Sequence, residues 1–147
     1  MNNLNPEWCT SFVINHLPGE IQALRFSLID YDATNKDGTL KGDPLGECET
    51  TVDEVTKSNH RGLSLTLSGK GAKSGSLLHV MWEAADPSVR GTATLTLSGV
   101  DLANRAGLLA NSSAFWRLLK RRPDGAYVLV GVSGACNGRM RNVSSVC

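Results

Sequence analysis

The feature that most constrains this chain is an alternation of apolar and polar residues with a period of two. It recurs at residues 24–28, 63–67, 92–97 and 127–132. A period of two is typical of a strand with one buried face. Gly, Pro, Asn and Asp separate these segments, and a helical period is almost absent. The pattern therefore predicts an all-β protein, an antiparallel sandwich of about eight short strands.

Composition narrows the classes of partner. The 147 residues are 41% hydrophobic and 20% charged, which is the balance of one ordinary globular domain. A formal net charge of +1 predicts no global attraction to nucleic acid, so no nucleic-acid partner is expected. No apolar run reaches the length that spans a bilayer, which leaves peripheral membrane contact. The four cysteines form no CxxC pair and no N-terminal signal is evident, so a cytoplasmic protein is predicted.

Four aspartates follow the first clear strand. Asp30 and Asp32 leave its end on the same side, Asp37 lies further along a loop, and Asp43 precedes the next apolar segment. Carboxylates that converge at one sheet edge repel each other unless a cation neutralises them. Ca²⁺ is the ion that suits hard, flexible oxygen ligands. The segment therefore indicates a calcium site.

Two alternatives bear on this interpretation. An ordinary solvated hairpin loop contains the same residue types, and spacing alone leaves that reading open. An EF-hand is excluded, because the sixth and twelfth positions counted from Asp30 are Asn35 and Lys41 rather than Gly and Glu. No Ser, Cys or Asp stands in a recognisable nucleophile motif, so a non-enzymatic protein is expected.

Several short motifs follow one another in the order found in C2 domains. They are LNPEW at residues 4–8, FVI at 12–14, LRFSLIDYD at 24–32 and DPLGE at 43–47. Their order and spacing are more specific than any one motif. The chain thus resembles a C2 domain, which implies a C2-type antiparallel sandwich.

A closer resemblance covers nearly the whole chain. Residues 45–52 and 65–67, with Gly75 and Glu83, resemble the first C2 domain of a copine, and residues 91–132 resemble the opening of the second. The A-type domain that normally follows in copines is lacking. The resemblance implies a repeat of two partial C2 domains.

The resemblance divides the chain into three segments. Residues 1–86 correspond to the C-terminal part of a first C2 domain and residues 91–133 to the N-terminal part of a second, while residues 134–147 diverge and are predicted to be a disordered tail. Together the strands make one full set in rotated order, so the hypothesis is a single permuted sandwich. The alternative is two incomplete half-sandwiches with exposed edges.

The copine resemblance implies calcium-dependent binding of anionic phospholipid, with recruitment from the cytoplasm to the plasma membrane. Asp30, Asp32 and Asp43 match the calcium ligands, whereas Asp37 matches no fixed ligand position and is only an additional candidate. In a permuted sandwich, Ala106 and Ser113 would lie across from Asp30 and Asp32. Both stand where the second domain has first-loop aspartates, so the site would be half equipped.

Three basic residues, Lys120, Arg121 and Arg122, add a weak lipid-binding candidate. Each charge near an anionic surface contributes ~1 kcal/mol, although a solvated hairpin end has the same composition. The competing function is a calcium-independent protein-interaction or scaffolding fragment that binds protein partners through its sheet edges.

Overall fold

The computed structural model of the chain describes residues 4–59, 61–84, 92–103 and 113–134. Within these ranges the chain forms eight β-strands and one short helix. The predicted all-β sandwich of about eight strands is confirmed. The elements are β1 Glu7–Asn15, β2 Ala23–Thr34, β3 Leu40–Thr51, α1 Val52–Lys57, β4 Leu63–Thr66, β5 Leu77–Ala84, β6 Thr92–Val100, β7 Ala114–Arg121 and β8 Tyr127–Val132.

The strands form two antiparallel four-stranded sheets, with the orders β1-β6-β5-β4 and β3-β2-β7-β8. Strands from residues 1–86 and from 91–133 share both sheets, because β6 lies between β1 and β5 while β7 pairs with β2. The chain therefore closes into one sandwich. The assignment of this sandwich to the C2 type and the circular permutation of its strand order remain predictions. The segment predicted to be a disordered tail lies, apart from Gly134, outside the described residues.

The core forms where the alternating strands turn their apolar faces toward each other. Phe26 and Leu28 on β2 belong to the same core cluster as Leu95 on β6, and all three are fully buried. Phe12 and Trp116 join the two sheets, with their ring centroids 4.5 Å apart in an edge-on arrangement. Burying a side chain of this size stabilises the fold by about 1.5–3 kcal/mol. The core thus fixes both ends of the sandwich relative to each other.

The β2–β3 hairpin corrects one local prediction. The sequence predicts that a loop begins near Asp30 and ends near Asp43, but both residues lie in paired strands and the turn covers only 35–39. Gly42 does not break β3. A Cβ at Gly42 would lie 1.6 Å from the carbonyl oxygen of Asp30, so the strands pair this closely only because glycine has no side chain.

Helix α1 corrects a second prediction, in which residues 46–55 form a strand that ends in a short turn. The strand stops at Thr51, and a capping box starts the helix. The Thr51 side chain accepts a hydrogen bond from the Glu54 amide, while the Glu54 carboxylate accepts one from the Thr51 amide. Val52 and Val55 bury the inner face of the helix against the core.

The two ends of the sandwich differ, and each is named here by its most distinctive feature. The aspartate end is where Asp30 pairs with Asp43 on β3 and with Ala114 on β7. The helix end is where Leu24 pairs with Lys120 and where α1 follows Thr51. Leu24 and Asp30 are six positions apart on β2, which corresponds to roughly 20 Å at ~3.3 Å per residue.

Candidate functional site

Asp30 anchors the aspartate end. Its side chain is only 3% exposed, and its Oδ1 accepts a hydrogen bond of 2.9 Å from the Ser113 amide. The amide of Tyr31 in turn donates to the Ser113 carbonyl at 2.8 Å. Ser113 therefore lies beside Asp30 at this end of the sandwich. The permuted-sandwich hypothesis places Ala106 here together with Ser113, but Ala106 falls outside the described residues.

Asp32 and Asp43 are exposed, in contrast to Asp30. Asp43 is the direct partner of Asp30 across the hairpin, and Asp32 is the extra residue of a bulge two positions further along β2. Like charges directly opposite each other on neighbouring strands destabilise the pair. In the ranges that the structure describes, no group of three or more His, Cys, Asp or Glu side chains is arranged to hold a metal ion. The three aspartates therefore share one end without forming a preassembled cage.

Asp37 has a structural contact in the hairpin turn. Its Oδ1 accepts hydrogen bonds from the amide and the hydroxyl of Thr39, at 2.9 and 2.7 Å. These bonds, the one from the hydroxyl above all, hold the pKa of Asp37 below its usual value. The carboxylate thus stabilises the turn that joins β2 to β3. Asp-Gly in the sequence is a typical signal for such a turn.

The predicted lipid-binding residues lie at the other end of the molecule. Arg121 ends β7, and Arg122 begins the exposed turn to β8. Lys120 is half-buried and pairs with Leu24 at the helix end. The structure therefore separates these three basic residues from the aspartates by most of the length of β2. The two candidate sites do not form one surface.

Two other arginines interact with the protein itself. Arg25 donates from Nε to the Glu49 carboxylate at 2.7 Å, and its guanidinium lies 4.1 Å from the centre of the Tyr127 ring. The bond to Glu49 raises the pKa of Arg25 further above its usual value. Arg117 donates to the Leu40 carbonyl at 2.9 Å. These cross-strand contacts were missed by sequence reasoning, since an alternating pattern does not name the facing strand.

Sequence reasoning also missed an apolar cleft beside the helix end. It opens between β1 and β8, has a volume of about 110 Å³, and is lined by Phe12, Leu24 and Leu118 among others. Lys120 is the charged residue in its lining. The alternation of β7 contains the signal for this placement, because Leu118 and Lys120 are two positions apart and so share a face.

No protein-family model matches this chain, and no solved structure matches it. The copine resemblance therefore remains a prediction that the sequence motifs carry. Among the described residues, no helix is long and apolar enough to cross a bilayer.

Proposed function

We propose that this chain is a non-catalytic module that binds anionic phospholipid through a weakly held Ca²⁺ at the aspartate end. The observation that carries the proposal is the direct opposition of Asp30 and Asp43 on neighbouring strands, with Asp32 beside them. Opposed carboxylates repel each other, and a divalent cation between them removes that repulsion. The cation would in turn attract lipid phosphates.

The donor set fits calcium in its chemistry. Ca²⁺ takes 6–8 oxygen ligands in a flexible geometry. Asp30 would supply an oxygen held in place by the Ser113 amide, whereas Asp32 and Asp43 are exposed and free to change rotamer toward it. Three carboxylates provide at most six oxygens, so water and lipid phosphate would complete the coordination. This shared coordination is the reason for expecting lipid binding to depend on calcium.

The affinity for calcium is expected to be low. The described residues at this end offer one acidic segment, and the exposed aspartates must reorient before they coordinate the ion. Ordering side chains on binding lowers the affinity. The dissociation constant should therefore be at the weak end of protein calcium sites, ~10⁻⁴ to 10⁻³ M. Calorimetric titration of the whole chain measures it, and micromolar binding would contradict this estimate.

Sedimentation with vesicles tests the proposal. The chain should co-sediment with phosphatidylserine vesicles in millimolar calcium and remain in the supernatant in EGTA. Substituting both Asp32→Asn and Asp43→Asn should abolish the calcium-dependent fraction, because two of the three ligand charges are removed. The variant should still fold, since both side chains are exposed and the core is unchanged. A variant with Glu20→Gln and Glu83→Gln removes two exposed charges elsewhere and serves as the matched control. Binding that persists in EGTA and in the aspartate variant would exclude the proposed site.

A second candidate function, the calcium-independent interaction with protein partners, rests on the strand edges. The edge strand β1 has no charge and no proline over residues 10–15, and β8 has neither over Tyr127–Val132. By contrast, the edge strand β3 contains Lys41, Asp43 and Pro44. Uncharged edges are suited to pairing with an added strand. This function predicts no vesicle binding in either calcium or EGTA, so the same sedimentation experiment separates the two.

A further inference from the structure

The two flanks of the sandwich are built differently. On the flank formed by β3 and β4, Glu47 and Ser68 exchange two backbone hydrogen bonds of 2.9 Å, which join the two sheets. On the flank formed by β1 and β8, no backbone hydrogen bond joins the sheets among the described residues. The sandwich is therefore closed on one side and open on the other.

The apolar cleft lies on the open flank. Its walls include Ile14 on β1, Leu24 on β2, Leu118 on β7 and Val130 on β8. Phe12 also lines the cleft, and its ring packs against Trp116 and so against the core. The volume of about 110 Å³ is below that of the apolar cavity of about 150 Å³ that accommodates benzene, so the cleft holds only a short segment of an alkyl chain.

Two of the polar residues in the lining already have partners. The Gln22 amide donates to the Asn15 carbonyl at 2.9 Å and accepts from the Leu17 amide at 2.8 Å. These bonds hold the loop between β1 and β2 in place. Gln22 thus supports the wall of the cleft, and its own hydrogen-bonding groups are satisfied.

The positive charge of Lys120 is not neutralised by a described residue. Lys120 shares the inward face of β7 with Leu118, since the two are separated by two positions, and no carboxylate within the described ranges forms an ion pair with it. Helix α1 contributes Val52 to the same cleft, and its two acidic residues already have partners. Asp53 contacts His16 and Lys57 at 2.7 and 2.8 Å, while Glu54 accepts the capping hydrogen bonds.

We propose that the cleft binds the alkyl chain of a small anionic amphiphile whose carboxylate or phosphate group contacts the ammonium of Lys120. Apolar walls favour burial of the chain, and a cation that no carboxylate of the described residues neutralises favours an anionic head group. The site lies at the opposite end from the aspartates and requires no calcium. It is therefore independent of the calcium-dependent function proposed above.

Calorimetric titration of the whole chain in EGTA tests this site with three ligands whose main carbon chain has eight atoms, the carboxylate carbon of octanoate included. Octanoate and octyl phosphate should both give binding heats, and the stronger of the two identifies the preferred head group. Octyltrimethylammonium has the same chain and a positive charge, so it should not bind. Equal binding of the cationic ligand, or no heat with either anion, would overturn the proposal.

Two substitutions separate the contribution of the charge from that of the cleft. Lys120→Gln should weaken octanoate binding about tenfold, because a charge-assisted contact is lost while most of the stem remains. Lys36→Gln, in the exposed turn of the β2–β3 hairpin, is the matched control and should leave the affinity unchanged. Ile14→Phe should block the cleft and abolish binding, and Val130→Ile provides a milder test if the larger side chain prevents folding. Unchanged affinity in Lys120→Gln would refute the role of the ammonium.

Discussion

The aspartate end and the helix end of this sandwich present opposite chemistry on one rigid core. At the aspartate end a buried carboxylate faces an exposed one across a hairpin, and the strand edge is polar. At the helix end the sheets separate around an apolar cleft that has a lysine in its lining. We propose a cation as the ligand of the first end and an anion with an apolar tail as the ligand of the second.

Nearness in sequence does not decide which residues of this protein lie at the same end. Asp30 and Leu24 belong to the same strand, yet they lie at opposite ends of the sandwich. Ser113 and Lys120 both lie on or beside β7, and each contributes to a different end. Each end therefore depends on residues from both halves of the chain. Removing the second half should consequently disrupt both ends.

The largest effect should come from shortening the chain so that it ends at Ala85. This removes β6 from between β1 and β5 and removes β7 from beside β2, so both sheets lose their central pairing and both ends lose their partners. The shortened chain should lose cooperative unfolding and aggregate through exposed edges. Circular dichroism during thermal unfolding and light scattering measure this. A soluble, cooperatively folded monomer would show that the later strands do not complete the sandwich.

Gly42→Ala should damage the aspartate end alone. The added Cβ would meet the Asp30 carbonyl, which is backbone and cannot move aside, so the strands must separate at a cost of about 3 kcal/mol. Chemical denaturation measures the loss, and octanoate binding should survive in the folded fraction. Gly134→Ala is the control, since a Cβ there meets no atom within 4 Å. Equal stability of the two variants would contradict the close approach in the hairpin.

The double substitution Asp30→Asn and Asp32→Asn should separate the two ends functionally. Calcium affinity should fall by at least about tenfold because two ligand charges are removed. Folding should be similar or slightly more stable, since repulsion with Asp43 is relieved. Calorimetry with calcium and with octanoate checks both sites on one sample. Unchanged heats of calcium binding would refute the assignment of Asp30 and Asp32 as calcium ligands.

The smallest effect is expected in the pH dependence of folding stability, through the capping residue Glu54 at the helix end. The hydrogen bond from Thr50, followed by those from Thr51, lowers the pKa of Glu54 below its ordinary value of 4.5. A group with a lowered pKa stabilises the folded state fully above its unfolded value, and this contribution is lost as the pH falls through the folded value. Stability measured between pH 6 and 3 should therefore decline less in Glu54→Gln than in the native chain. An identical decline in both would show that the cap is not responsible.

Local patterns predicted the strands well where a single face is buried. The alternation at 63–67 predicted β4 and that at 127–132 matched β8. Helix α1 was missed although Thr51 and Glu54 form a recognisable capping box, because the β-forming residues 50–52 favoured a longer strand. The pairing of Asp30 with Asp43 was missed because aspartate and glycine usually mark loops, and tertiary pairing overrode that preference.

Local sequence patterns were sufficient to predict the β class of this protein, the apolar faces of its strands and a segment with closely spaced acidic residues. Alternation is a local property, and a strand with one apolar face must bury that face against another. The fold was needed to show that the Ser113 amide donates to Asp30, that Lys120 lines a cleft with Phe12, and that the predicted acidic and basic site residues occupy opposite ends. The first two arrangements bring together residues that are 83 and 108 positions apart in the chain. They arise from the order of strands in the sheets, which local periodicity does not encode.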